Sequence, residues 1–270
     1  MNQPLNIPAP SAGGTAPLDP LQFAVADRDA DTLNMVRDAL ASGRAQLAYQ
    51  PVFVAGHAGQ VAFYEGLIRL RDAGGRVLPA AQFMPVVEET ALGREIDAAT
   101  LFLAFKMLRN NPDQRLSINV SARSLADTRW RATLDQGLAE RGSLGDRLIF
   151  EISESSANQL HDVVQRFMEE IQPKGVAFAL DGFGAEATSF RKLQSFFFDM
   201  VKIDKSYARG VAHDPDQQII AEALTTLAHQ FEMFVVADGI ESGPDASFLQ
   251  SVGVDCLQGY HYGAPRFLFS

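Results

Sequence analysis

Eight polar residues interrupt otherwise apolar stretches of this chain: Glu65, Arg69, Asn119, Glu151, Asp181, Lys202, Asp238 and Gln258. Burying such groups without partners costs several kcal/mol each on apolar-transfer scales. A shared metal ion, or a bound phosphate, would satisfy many of them together. Glu65, Asn119, Glu151 and Asp181 would offer side-chain oxygens. That donor chemistry suits Mg2+, Mn2+ or Ca2+ better than zinc. Taken singly, each residue also reads as an ordinary polar group bonded to loop backbone. As a set they point to one shared site.

The elements that carry these residues alternate. Candidate strands cover 46–54, 61–70, 115–121, 147–153, 176–183, 198–204, 234–240 and 255–261, with amphipathic helical stretches such as 125–140, 158–172 and 215–231 between most of them. Eight strands with intervening helices predict an α/β fold, a TIM-like (β/α)8 barrel, in which functional groups gather at the carboxyl ends of the strands. Only AGHAGQ separates the first two strands. A parallel crossover needs about a dozen residues or more, so the first strand is expected to be antiparallel. Upstream, Leu33, Val36 and Leu40 mark a helix over 31–44 with Asp31 as its N-cap. Residues 1–22, with Pro4, Pro8, Pro10, Pro17, Pro20, Gly13 and Gly14, read as a flexible tail before a barrel domain at 23–270.

Bulk properties narrow the partners. The formal charge of −10 argues against duplex nucleic acid and anionic membrane surfaces. It leaves room for an anionic ligand where a bound divalent ion reverses the local field. The single cysteine, Cys256, excludes an intrachain disulfide and a thiolate zinc cluster, and the five histidines lack ligand spacing. The N-terminus has no basic and apolar leader pattern, and no apolar run approaches a membrane span. A cytoplasmic location without membrane insertion is the expectation.

The motifs are similar to those of one family. YQPV (49–52), Glu65-Gly66-Leu67 with Ile68 and Arg69, QFMPVVEETALG (82–93), NVS (119–121), EISES (151–155), VKID (201–204), ADGIES (237–242) and QGYHYGAP (258–265) follow in order. Together they resemble the EAL domains of cyclic-di-GMP phosphodiesterases over roughly residues 30–266. The resemblance implies that Glu65, Asn119, Glu151 and Asp181 bind a Mg2+ or Mn2+ ion. It implies that Lys202 positions or deprotonates the attacking water, with Glu65 and Asp238 also catalytic. Gln50, Leu67, Arg69, Asn119, Asp181, Lys202, Gln258 and Pro265 would contact cyclic-di-GMP. Arg69 would hold a phosphate, and Glu154 would brace the loop after the Asp181 strand.

The chain departs from that pattern at two carboxylates. Where the family has Asp-Asp-Phe-Gly-Thr-Gly, this sequence has Asp181-Gly182-Phe183-Gly184-Ala185-Glu186. Two-metal hydrolysis clamps the attacking and leaving oxygens between paired ions. With Gly182, one metal site is expected and the second is in doubt. The family's Ala-Glu-Gly is Ala237-Asp238-Gly239 here, one methylene shorter. A misplacement of roughly 1 Å can lower a rate about 100-fold. Three functions fit: a cyclic-di-GMP receptor with weak or absent hydrolysis that signals to a protein partner or homodimer, a working phosphodiesterase releasing pGpG, and a protein-binding scaffold indifferent to nucleotide.

Overall fold

A computed structural model describes residues 20–139, 144–186 and 193–267. In chain order the elements are α1 (Pro20–Ala41), β1 (Ala45–Val54), β2 (Val61–Arg71), β3 (Val77–Pro79), α2 (Met84–Val87), α3 (Ala91–Asn110), β4 (Leu116–Asn119), α4 (Thr128–Leu138), β5 (Leu148–Ser153), α5 (Glu154–Gln159), α6 (His161–Ile171), β6 (Ala177–Phe183) and β7 (Met200–Ile203). They are followed by α7 (Pro215–Gln230), β8 (Phe234–Ala237), α8 (Gly243–Ser251) and β9 (Cys256–Leu257).

The sheet closes on itself in the order β1-β9-β8-β7-β6-β5-β4-β2, with β2 returning to β1. The strands from β2 through β4 and on to β9 pair in parallel, whereas β1 is antiparallel to both β2 and β9. The hairpin register sets Gln50 opposite Glu65. A TIM-like barrel with a reversed first strand is therefore present, as the short β1–β2 connection requires.

Side chains alternate across each strand, which divides the interior into two cores. Val52, Phe63, Ile149, Ala179 and Val236 plug the floor of the barrel. The larger apolar core lies between the strands and the surrounding helices. Within it Trp130 of α4 and Phe167 of α6 meet Phe150 of β5 and Phe178 of β6, with ring centroids 5.6–6.0 Å apart. These tilted and edge contacts fix the two strands whose ends carry Glu151 and Asp181. With the floor filled by carbon, the polar residues above it can only gather at the open end.

Three local expectations need correction. Asp31 is not an N-cap: α1 already runs from Pro20, a residue whose fixed φ suits the first helical turn. Residues 1–19 of the expected tail lie outside the described residues, and 20–22 belong to α1. The stretch 82–93, which by its resemblance to the family would be the helix after the second strand, is not one helix. It breaks after α2, where the Thr90 side chain accepts from Leu92 N at 3.1 Å to start α3. A Cβ on Gly93 would lie 2.5 Å from the Glu88 carbonyl oxygen, so the tight junction of the two helices demands glycine there. Among the described residues, no helix is long and apolar enough to cross a membrane.

Candidate active site

The polar strand ends meet at the barrel mouth. Glu65 on β2 is the hub. Its Oε1 accepts from Asn119 Nδ2 at 3.0 Å, and its Oε2 accepts from Lys202 Nζ at 3.0 Å and from Gln258 Nε2 at 2.5 Å. Lys202 Nζ also donates to Glu151 Oε2 at 2.8 Å. Glu65, Glu151, Lys202 and Gln258 are all buried. Residues far apart in sequence converge here because β2, β4, β5, β7 and the segment after β9 end at one level of the barrel.

The electrostatics follow from that burial. Desolvation alone would raise the Glu65 carboxyl, but the Lys202 charge and hydrogen bonds from Gln258, Lys202 and Asn119 prevail and hold it below the usual range. Glu151 goes the other way. Burial and the neighbouring Glu65 charge lift it to about 8, against the pull of Lys202. Burial opposes the charge on Lys202, yet Glu151, Glu65, Asp181 and Asp238 together push its pKa well above the ordinary lysine value. Lys202 is thus a charged donor.

Asp181 lies two residues before the end of β6, opposite Lys202 in register, and Asp238 follows β8 with its Oδ1 accepting from Gly239 N at 2.6 Å. Burial raises the Asp238 pKa, partly offset by Lys202. Arg69 is half-buried at the end of β2, where Nη1 donates to the Ile68 carbonyl at 3.0 Å. Burial lowers its pKa, while Tyr260 and Glu65 act in the opposite direction. Leu67 lines a cleft of about 320 Å3 with Asn119, Glu151 and Ser153, running out between β2 and α3. Glu154 Oε2 accepts from Gly184 N at 3.2 Å and so ties α5 to the turn after β6. Gln50 donates to the Gly263 carbonyl at 3.1 Å, on the β1 side of the mouth. Pro265 lies farther along that C-terminal segment, next to Arg266, which bridges to Tyr49, and is not drawn into the Glu65 cluster.

Gly182 occupies a left-handed turn with φ of +75°. The β6–β7 register shifts between Asp181 and Phe183 at this point. Among the described residues, the nearest atom to a Cβ placed here, beyond its chain neighbours, is Asp204 Oδ2 at 4.0 Å, so those residues leave room for a side chain. Backbone conformation, more than space, favours the glycine.

Can the residues hold a divalent ion? Among the described residues, no three His, Cys, Asp or Glu side chains form a ready-made metal cluster. Lys202 stands between the two glutamates instead. Glu151 Oε1, however, is buried with no hydrogen-bond partner. An orphaned carboxylate oxygen beside Glu65 and Asn119 is what a hard cation would satisfy. The donors fit such an ion.

One neighbour of the cluster escaped the sequence reading. Asp97 on α3 is buried at the cleft, where Oδ2 accepts from Ser124 Oγ at 2.6 Å and from Ser121 N at 3.0 Å. It thereby fixes the loop just after Asn119. Burial, aided by Glu88 and opposed by Ser124 and Ser121, raises it to about 7. A lone aspartate between Ile96 and Ala98 on a helix that is mostly apolar was the available signal.

The EAL domain family model matches residues 33–265. The chain belongs to the EAL domain family. This EAL domain is 30% identical over 239 residues to the cyclic di-GMP phosphodiesterase PdeF of Escherichia coli (strain K12), covering 87% of this chain and 32% of that protein. It is 28% identical over 247 residues to the bifunctional diguanylate cyclase/cyclic di-GMP phosphodiesterase MucR of Pseudomonas aeruginosa, covering 90% and 36%. The chain thus spans about a third of the length of these relatives. A structure of the MucR phosphodiesterase in complex with c-di-GMP superposes with a TM-score of 0.80 at 28% identity, covering 87% of this chain and 97% of that one. The FimX EAL domain of Pseudomonas aeruginosa bound to c-di-GMP shares the fold at a TM-score of 0.78 and 23% identity, covering 89% and 100%. Phosphodiesterases of the family generally depend on a divalent metal ion.

Proposed function

We propose that this EAL domain is a cyclic-di-GMP receptor in second-messenger signalling whose hydrolytic step is slow or lost. The observation that carries the reading is Gly182: a position beside Asp181 that the family resemblance gives to a carboxylate is a bare left-handed turn. The rest of the cluster is kept, which supports binding.

A Mg2+ or Mn2+ ion held by Glu65, Asn119, Glu151 and Asp181 would supply positive charge to a phosphate of the ligand. Lys202 keeps Glu65 and Glu151 aligned through its two charge-assisted hydrogen bonds. Gln258 locks the same Glu65 oxygen from the other side. Arg69, half-buried at the rim, can offer its guanidinium to a phosphate. Leu67 and the cleft beside it give a base an apolar wall. Glu154 steadies the turn that holds Gly182 and Gly184.

A second reading, a working phosphodiesterase that opens the ring to linear pGpG, draws support from the intact Glu65–Lys202–Glu151 network. Incubation with cyclic-di-GMP and Mg2+ or Mn2+, followed by chromatography, separates the two. The receptor reading expects little or no pGpG above a protein-free control; turnover at ordinary enzymatic rates would replace it with the second. A protein partner or homodimer would relay the bound state.

A further inference from the structure

In a TIM-like barrel each parallel strand is followed by a helix that covers its outer face. Only a short hairpin joins β1 to β2, so the connection brings no helix to the outside of β1. A groove of about 280 Å3 lies there, and among the described residues no helical one lines it. Tyr49, Pro51 and Phe53 form one wall, because alternate residues of a strand share a face. Tyr64 of β2 also lines the groove, and the C-terminal segment supplies Tyr262 and Arg266. That segment is fixed in place. Arg266 and Tyr49 exchange backbone hydrogen bonds at 2.6 and 3.0 Å, and Gln50 Nε2 donates to the Gly263 carbonyl at 3.1 Å. The Phe53 and Tyr262 rings stack with centroids 5.4 Å and planes 29° apart.

Aromatic faces lining a groove suit a polyproline II segment. Such a segment has no internal hydrogen bonds, so its prolines pack on rings while its carbonyls accept from side-chain donors. The donor here is Arg266, which is exposed and whose guanidinium enters no ion pair or hydrogen bond among the described residues. The sequence itself carries a matching segment. PLNIPAP (4–10) has three prolines in seven residues and no charge. Its reach can be bounded. The helix α1 rises about 33 Å over its 22 residues. Arg44 N donates to the Ala39 carbonyl at 2.8 Å, which turns the chain tightly into β1, and Tyr49 follows Ala45 by about 13 Å. Pro20 therefore lies within about 55 Å of Tyr49. The sixteen residues from Pro4 to Asp19 extend to about 55 Å, so the prolines reach the groove even with α1 and β1 end to end.

We infer that the groove on the outer face of β1 is a docking site for a proline-rich segment, and that residues 4–10 of this chain occupy it. The prolines pack against Tyr49, Phe53 and Tyr262, and Arg266 donates to carbonyls of the segment. This docking does not depend on the nucleotide reading. It places the N-terminal segment behind the strand whose inner face carries Gln50 opposite Glu65.

Disulfide trapping in the full chain tests it. In a Cys256→Ser background, Asn6→Cys is combined with Ala264→Cys, which lines the groove, or with Phe102→Cys, 57% exposed on α3, the helix packed against α1. Mild oxidation with diamide, followed by non-reducing electrophoresis and mass spectrometry, reads the rate of closure. Docking raises the local concentration of the two thiols, so the groove pair should close within one chain about tenfold faster than the Phe102 pair. A Pro4→Ser, Pro8→Ser, Pro10→Ser triple variant should bring the groove pair down to the Phe102 rate. It alters none of the described residues, so a damaged barrel cannot account for the loss. Arg266→Gln, at an exposed position, should slow the groove pair severalfold. Equal rates for the two pairs, a groove rate indifferent to the three prolines or to Arg266, or a groove disulfide joining two chains would overturn the inference, the last by giving the groove to a second copy.

Discussion

Replacing Gly182 with aspartate restores a carboxylate at a place where the structure leaves room. Among the described residues, the nearest atom to its Cβ beyond its chain neighbours is Asp204 Oδ2 at 4.0 Å, so no steric clash with them is expected. The cost comes from the backbone, because φ at this residue is +75°. An L residue pays about 1–2 kcal/mol in that region, and aspartate is among the better tolerated. In a domain of this size, about 1 kcal/mol lowers the melting temperature by roughly 2–4 °C. The gain lies in catalysis. A second divalent ion that this carboxylate would help hold, facing charge that develops in the transition state, would be worth ~100-fold or more in kcat. Gly182→Asp should therefore melt a few degrees lower and produce pGpG with Mn2+ about 100-fold faster than wild type, measured by chromatography. A variant that folds with the small expected loss yet turns over no faster than wild type would refute the claim that this carboxylate limits the chemistry.

Three further outcomes follow from the same geometry. Lys202→Met leaves the buried Glu65 carboxylate without its cation, and breaking a buried pair costs about 3–5 kcal/mol; urea unfolding should show it, and a loss below about 1 kcal/mol would contradict the pairing. Because the Glu151 carboxyl is raised to about 8, an ion must displace its proton; Mn2+ affinity should climb from pH 6 to pH 9, and a flat titration would count against Glu151 as a ligand. Asp97 is raised from 3.8 to about 7. An acid whose folded pKa is raised contributes stability below its unfolded pKa and loses it as pH rises through the folded one. Between pH 5 and pH 8 this one group should destabilise the fold by about 3 kcal/mol; in Asp97→Asn that slope should vanish from urea unfolding, and its persistence would place the titration elsewhere.

Much of the barrel was legible because its strands are short apolar runs, each ending in a polar residue. The reversed first strand followed from six intervening residues alone. The break between α2 and α3 was not, since it depends on Gly93 meeting a carbonyl from the previous turn. The first half of α1 was hidden for another reason: apolar periodicity begins only at Leu33, where the helix reaches the barrel, and its exposed first turns carry no such pattern. For the site, embedded charges such as Lys202 and Glu151 announced themselves by their apolar surroundings. Asp97 was passed over because an aspartate on an amphipathic helix usually faces water.

The direct test of the receptor account is a titration calorimetry cell whose contents are recovered afterwards. Cyclic-di-GMP injected into the wild-type chain with Mg2+ should release saturable heat, and chromatography of the cell should return the ligand with its ring closed. Heat absent both with Mg2+ and with EDTA, or a cell filled with pGpG, would contradict the account.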